Sequence, residues 1–185
     1  MGALAGQNGT AALALRFAVL TAARTGEVLG ARWGEIDLAA KLWTVPAGRM
    51  KGGRDHRVPL APAGLTLLGE IAEGGADPPA LVFPSTVATR PLSNMAMTMT
   101  LRRMKRDDVT VHGFRSCFRD WIAGATSHPR ELAEAALAHA VGNKVEAAYA
   151  RGDMLDKRRD MMAAWADFCA VSYAEPVGNV VTLRA

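Results

Sequence analysis

The sequence predicts a mainly α fold with a small antiparallel β-sheet on one side (α+β), and three observations predict it. Half of the 185 residues are apolar but only 6% are aromatic, and the helix-favouring alanine, leucine and methionine are plentiful. Two short runs rich in β-branched and aromatic residues flank a Gly-Gly turn, the pattern of a hairpin. From Leu92 onward the chain is mostly helical in pattern. This length fits one domain, or one domain with an extra lobe, and is enough to bury a core. No internal repeat or low-complexity tract interrupts it.

The first expected helix covers 11–23, with Thr10 as N-cap and Leu13, Phe17 and Leu20 on one face at the i, i+4, i+7 spacing. It is neither a signal peptide nor a membrane span: no basic segment precedes it, Arg16 interrupts it, and it is too short. Thr25-Gly26 breaks it, and 27–33 reads as a second, short helix. Leu42-Trp43-Thr44-Val45-Pro46 and His56-Arg57-Val58-Pro59-Leu60 are strands around the turn at Lys51-Gly52-Gly53, and Ile36-Asp37-Leu38 adds a third. Pro62, suited to a first helical turn, opens a helix to about 73. A loop at 74–79 and the run Leu81-Val82-Phe83 follow. Further helices are expected over about 93–106, 112–126, 129–137, 144–150 and 155–170. Residues 1–170 then form one domain, and 171–185 a tail holding the β-prone Val180-Val181-Thr182-Leu183.

The formal net charge of +4 suits a polyanionic partner without selecting one. Cys117 and Cys169 are the only cysteines. They form no C-x-x-C pair, which excludes a zinc framework, and are expected as two buried thiols in a reducing cytoplasm.

Four local patterns carry chemistry, each with a plainer alternative beside it. By 100° counting Arg24 falls on the apolar face of the first helix, where an unpaired charge is costly. Glu27, three residues on, supplies a partner, and the alternative is a simple structural ion pair. His112 and Arg115, at i, i+3, sit side by side on a helix and suit an anion, or form an exposed pair on an amphipathic helix. Leu137-Ala138-His139 is followed ten residues later by Tyr149, a nucleophile or a packed core ring. Lys51 at the hairpin tip reaches into a groove and donates a proton, or is merely solvated. The basic run Arg102-Arg103-Met104-Lys105-Arg106, with Arg119 further on, is a DNA-contacting face or a solvated one.

Taken in order, these patterns resemble the active site of tyrosine recombinases, the phage-integrase family, from about residue 11 to residue 168. The likeness is closest to the integrases of prophages and genomic islands. It is carried by Leu20-Thr-Ala-Ala-Arg-Thr-Gly-Glu-Val, Arg49-Met-Lys, His56-Arg-Val-Pro-Leu, Val111-His-Gly-Phe-Arg, and Leu137-Ala-His through Ala147-Ala-Tyr. The interval from His139 to Tyr149 is one residue longer than in many members. The resemblance implies the catalytic-domain fold of that family and a site-specific recombinase working through a 3′-phosphotyrosine intermediate. It implies that Arg24 and Arg115 clamp the scissile phosphate and that Lys51 protonates the leaving 5′ oxygen. His112 assists proton transfer, His139 hydrogen-bonds the phosphate, Tyr149 attacks, and Glu27 holds Arg24. Arg102, Arg103, Lys105, Arg106 and Arg119 contact the DNA backbone.

The set holds no acidic cluster for a magnesium ion, because Glu27 is committed to Arg24, so no metal is expected. The resemblance further implies no cofactor or ATP, double-stranded attachment-site DNA as partner, and a tetramer on DNA in the full-length protein. A directionality factor and a DNA-bending host protein are expected helpers, and the location is the bacterial cytoplasm, at the nucleoid, with no membrane. Family members carry N-terminal DNA-binding domains, so a chain beginning inside the catalytic domain is expected to be a fragment, its tail exchanged between protomers. The rival readings are a type IB topoisomerase, which shares the chemistry, and a catalytically silent DNA-binding remnant.

Overall fold

The structure, a computed structural model, describes residues 1–139 and 153–171. The central element is α2 (Thr10–Thr21), whose apolar residues face inward almost all round, with Ala14, Leu15 and Phe17 fully buried. It packs against a short α1 (Gly2–Ala5) that sequence patterning did not reveal, and against α3 (Thr25–Leu29). Gly9, not Thr10, is the N-cap of α2. Its φ of 94° and ψ of 159° belong to a region essentially restricted to glycine, and Thr10 becomes the first helical residue. The helix ends two residues earlier than expected, because Ala22 turns left-handed at φ 50° and returns its N–H to the carbonyl of Val19.

The second expected helix, 27–33, appears as α3 followed by a 3-10 turn at Trp33–Glu35. Three antiparallel strands follow in spatial order β1 (Ile36–Asp37), β2 (Leu42–Val45) and β3 (His56–Pro59). Trp43 stands opposite Val58 and Val45 opposite His56. Along β2 the burial alternates, with Trp43 and Val45 inward, as a half-buried strand requires. Trp43 meets Phe17 of α2 at a ring-centroid distance of 5.1 Å, and Phe83 meets the same ring at 5.4 Å. The connection between β2 and β3 is longer than a tight hairpin turn. It contains a 3-10 turn at Ala47–Arg49 and Gly53 at φ 61°, and is closed by the Ala47 N–H donating to the Asp55 carboxylate at 2.8 Å.

Beyond the sheet come α4 (Pro62–Ala72), α5 (Ala96–Arg103), α6 (Gly113–Ala125), α7 (Arg130–Ala136) and α8 (Leu155–Ala170). α8 closes the core, lying against α2, α4, α7 and β3. Its Trp165 donates an indole N–H to the Val19 carbonyl at 2.8 Å and meets Phe118 of α6 edge-on at 5.3 Å.

α5 is shorter than the expected 93–106 at both ends. At its C-terminus Lys105 turns left-handed, at φ 57°, while the Arg106 N–H reaches back to the Leu101 carbonyl. That is the closure usually built on glycine. One cysteine expectation is corrected: Cys117 lies on the solvent side of α6 and is exposed, while Cys169 is half-buried. Burial pushes the Cys169 thiol up to about 12. Among the described residues no helix is long and apolar enough to cross a membrane. The expected helix at 144–150 with Tyr149, and the tail with Tyr173 and the run 180–183, lie outside the described residues.

Candidate active site

Because α2 stops at Thr21, Arg24 is not on that helix, contrary to the angular count. It stands in extended backbone at the N-cap of α3. The buried carboxylate of Glu27 grips it twice. The Arg24 backbone N–H donates to Oε2 at 2.8 Å and its Nη1 to Oε1 at 2.7 Å. Nη2 is left to donate to the Ala138 carbonyl at 3.4 Å.

Arg115, in the first turn of α6, is 5% exposed. Its guanidinium donates to the carbonyl of Ala22 and, at 2.8 Å, to that of Leu137. Burial, and then the nearby charge of Arg24, pushes its pKa down to about 10, with Glu27 pulling the other way. It remains protonated at neutral pH.

The two arginines come from elements far apart in sequence and bond to consecutive carbonyls, Leu137 and Ala138, in the turn that ends α7. This turn repeats the closure seen at α5. Ala138 is left-handed at φ 48°, and the His139 N–H reaches the Glu134 carbonyl at 3.0 Å. Two of the carbonyls the arginines use, those of Ala22 and Ala138, belong to left-handed alanines. Such residues carry about 1 kcal/mol or more of strain.

His139 follows directly, with Nδ1 against the Glu134 carboxylate at 2.6 Å. Fixing one ring nitrogen orients the other, and at 37% side-chain exposure the ring is open to solvent. The structure therefore brings together Arg24, Glu27, Arg115 and the turn that presents His139. His112, at the N-cap of α6, and Lys51, in the β2–β3 connection, are exposed. The His112 carbonyl accepts from the Arg115 backbone N–H at 3.1 Å, but among the described residues neither side chain is hydrogen-bonded to that cluster. Tyr149 lies outside the described residues.

Of the basic run, Arg102, Arg103 and Lys105 are exposed at the end of α5. Arg106 is held in both arms by Asp108, at 2.7 and 2.8 Å. Arg119 lies 3.7 Å from Asp120.

Several supporting residues escaped the sequence reading. Arg49 ties its guanidinium to the Glu27 carbonyl at 3.2 Å and to the Glu35 carboxylate, which also accepts from the Trp43 indole at 3.1 Å. The base of the Lys51 loop is thereby tied to the residue that grips Arg24. His56 contacts the Ala136 carbonyl through Nε2 at 3.1 Å. Arg158 is buried at 1% exposure among Met161, Met162 and Trp165 of its own helix. Its place on that apolar stripe was the available signal, the same argument that singled out Arg24.

Residues 5–155 match the phage integrase family. Prophage integrase IntA of Escherichia coli (strain K12) is 39% identical over 153 residues, covering 80% of this chain and 36% of that protein. The integrase of Enterobacteria phage P4 is 33% identical over 173 residues, covering 84% and 39%. The chain thus spans less than two fifths of the length of these relatives. Among solved structures, a lambda integrase (75–356) dimer bound to a COC′ core site matches with a TM-score of 0.53 at 22% identity. The match covers 81% of this chain and 55% of that one, and shows a shared fold.

Proposed function

The chain belongs to the phage integrase family, and from that premise we propose that it is the strand-transfer domain of a site-specific DNA recombinase, with Tyr149 as nucleophile. The observation that carries the reading is the meeting of Arg24 and Arg115 at one turn, with Glu27 behind them and His139 beside them. A guanidinium has five N–H donors. Among the described residues the Arg115 guanidinium spends two on carbonyls and that of Arg24 spends one on Glu27 and one on a carbonyl, so each keeps donors for an anion.

In the proposed reaction the Tyr149 oxygen bonds to the scissile phosphorus and the bond from phosphorus to the 5′ oxygen breaks. The phenol has a reference pKa of about 10, and it gives up its proton with help from His112. Lys51 delivers a proton to the departing 5′ oxygen. Charge gathering on the non-bridging oxygens is met by Arg24, Arg115 and His139, donors already in place before the reaction. The 3′-phosphotyrosine keeps the energy of the broken bond, so an incoming 5′-hydroxyl reverses the step and displaces Tyr149 without ATP. The substrate is double-stranded attachment-site DNA. The full-length protein acts as a tetramer on it, integrating or excising a prophage or genomic island, with a directionality factor and a DNA-bending host protein as accessory partners. Residues 1–170 supply the chemistry, and the tail 171–185 exchanges between protomers.

The test is a nicked duplex copied from the DNA junction bordering the gene, incubated with the natural full-length protein. A denaturation-resistant protein–DNA adduct is expected, lost in Tyr149→Phe and kept in Tyr173→Phe. Adduct formation by Tyr149→Phe would refute the assignment.

A further inference from the structure

Strand β3 holds the chain on both sides of residues 140–152. On one side His56 bonds to the carbonyl of Ala136 at 3.1 Å. On the other side its neighbour Arg57 takes Asp153 in a two-armed contact, Nε to Oδ2 and Nη2 to Oδ1, both at 2.7 Å. Arg158, buried in α8, adds a third hold: it donates to the Asp153 backbone carbonyl at 3.2 Å and to the carbonyl of Arg57 itself.

The two sides are not equivalent for Tyr149. Ten residues separate it from His139, and four separate it from Asp153. At a reach of at most about 3.6 Å per residue, the first tether allows about 36 Å and the second about 14 Å. Asp153 is therefore the attachment that limits where the phenol can be, and Arg57 is its partner on the strand that follows the Lys51 loop.

We infer that Arg57 and Asp153 are positioning residues for the nucleophile, a bidentate clip that ties the chain four residues after Tyr149 to strand β3. The inference rests on the strand-transfer reading above. The side chains of Arg57 and Asp153 are 47% and 32% exposed, and a pair so open to water adds little to folding stability. A two-armed arginine–carboxylate contact instead fixes direction as well as distance. Misplacing a reacting group by about 1 Å costs up to about 100-fold in rate.

The experiment uses the natural full-length protein and its Arg57→Gln, Arg57→Lys and Asp153→Asn variants, with the nicked duplex described above. The same duplex carrying sulfur in place of the bridging 5′ oxygen is run in parallel. A thiol leaving group, with a pKa near 8.5, departs without a donated proton, so the sulfur substrate rescues a defect in proton delivery by Lys51 but not one in the placing of Tyr149. The expected result is adduct formation slowed about 10- to 100-fold in Arg57→Gln and Asp153→Asn on both substrates, with Arg57→Lys in between. DNA affinity should be unchanged and the melting temperature shifted by no more than about 3 °C.

Adduct formation at the unaltered rate would overturn the inference. So would rescue by sulfur, which would assign the pair to Lys51, and so would a matching fall in melting temperature and DNA affinity, which would make it a structural clip. If the unaltered protein forms no adduct at all, the strand-transfer reading fails and takes the inference with it.

Discussion

His56 stands between β3 and the end of α7, where burial first and then Arg158 lower its pKa from 6.5 to about 4, with Arg24 adding to the effect. Glu27 and the Ala136 carbonyl oppose the shift without reversing it. With the ring neutral, Nε2–H can donate to Ala136. Between pH 6.5 and 4 the unfolded chain binds a proton at this site that the folded chain refuses, so stability falls as the pH falls through that window. Above pH 6.5 the contribution is complete, and below about 4 it is gone. His56→Gln keeps a donor near the same carbonyl but cannot titrate. The variant should therefore lose less stability than the unaltered protein between pH 7 and 4, as urea midpoints at each pH would show. Parallel midpoint curves would contradict this account of the ring. His56 is legible in the sequence as part of a strand and of a stretch that carries the family likeness, but not as a supporting residue of the site, because nothing local says that Ala136, eighty residues away, lies across from it. The pairing of Arg24 with Glu27 is legible for the opposite reason, since the two lie three residues apart, although Arg24 stands at the start of α3 and not on the face of the first helix that the angular count gives it.

Elements were legible where a periodic apolar face decided them. α8 has the bounds its sequence predicts, since Met161, Met162 and Trp165 mark one stripe. The stripe is energetically substantial as well. Trp165→Phe keeps an aromatic ring beside Phe118 but removes the indole N–H from the buried Val19 carbonyl and leaves a small void. The expected loss is about 2 kcal/mol of unfolding free energy, measurable by denaturant titration, with adduct formation by the folded fraction unchanged. A loss below about 0.5 kcal/mol would mean that the hydrogen bond is readily replaced. Helix ends were less legible, and for one shared reason. One or two residues past the last helical residue of α2, α5 and α7 stand Ala22, Lys105 and Ala138, all left-handed and none a glycine. Sequence signals for a helix end look for glycine at that position, so each end came out too late or on the wrong residue. Two of those three ends supply the carbonyls on which the arginines converge, so the sequence is hardest to read where the candidate site is built.

For the whole molecule, a net charge of +4 says less about DNA than the pairing of its individual cations. Arg102 and Arg103 end α5, a placement that the helix dipole alone would favour, and among the described residues their side chains bond to Met99 and Thr100 rather than to a carboxylate. Arg106 is committed to Asp108 in both arms and must break that contact before it can neutralise a phosphate. If the face meets DNA with about six phosphates neutralised, log affinity should fall against log salt with a slope of roughly −5. Each cation that truly replaces counterions then accounts for about 0.9 of that slope. Arg102→Ala should flatten it by about 0.9, Arg106→Ala by distinctly less, and Asp108→Asn should steepen it by releasing Arg106. Binding titrations of the full-length protein at four or five salt concentrations would separate these outcomes. Equal slopes in all three variants would place the α5 end away from the DNA, and a slope near zero in the unaltered protein would leave no basic DNA-binding face to explain.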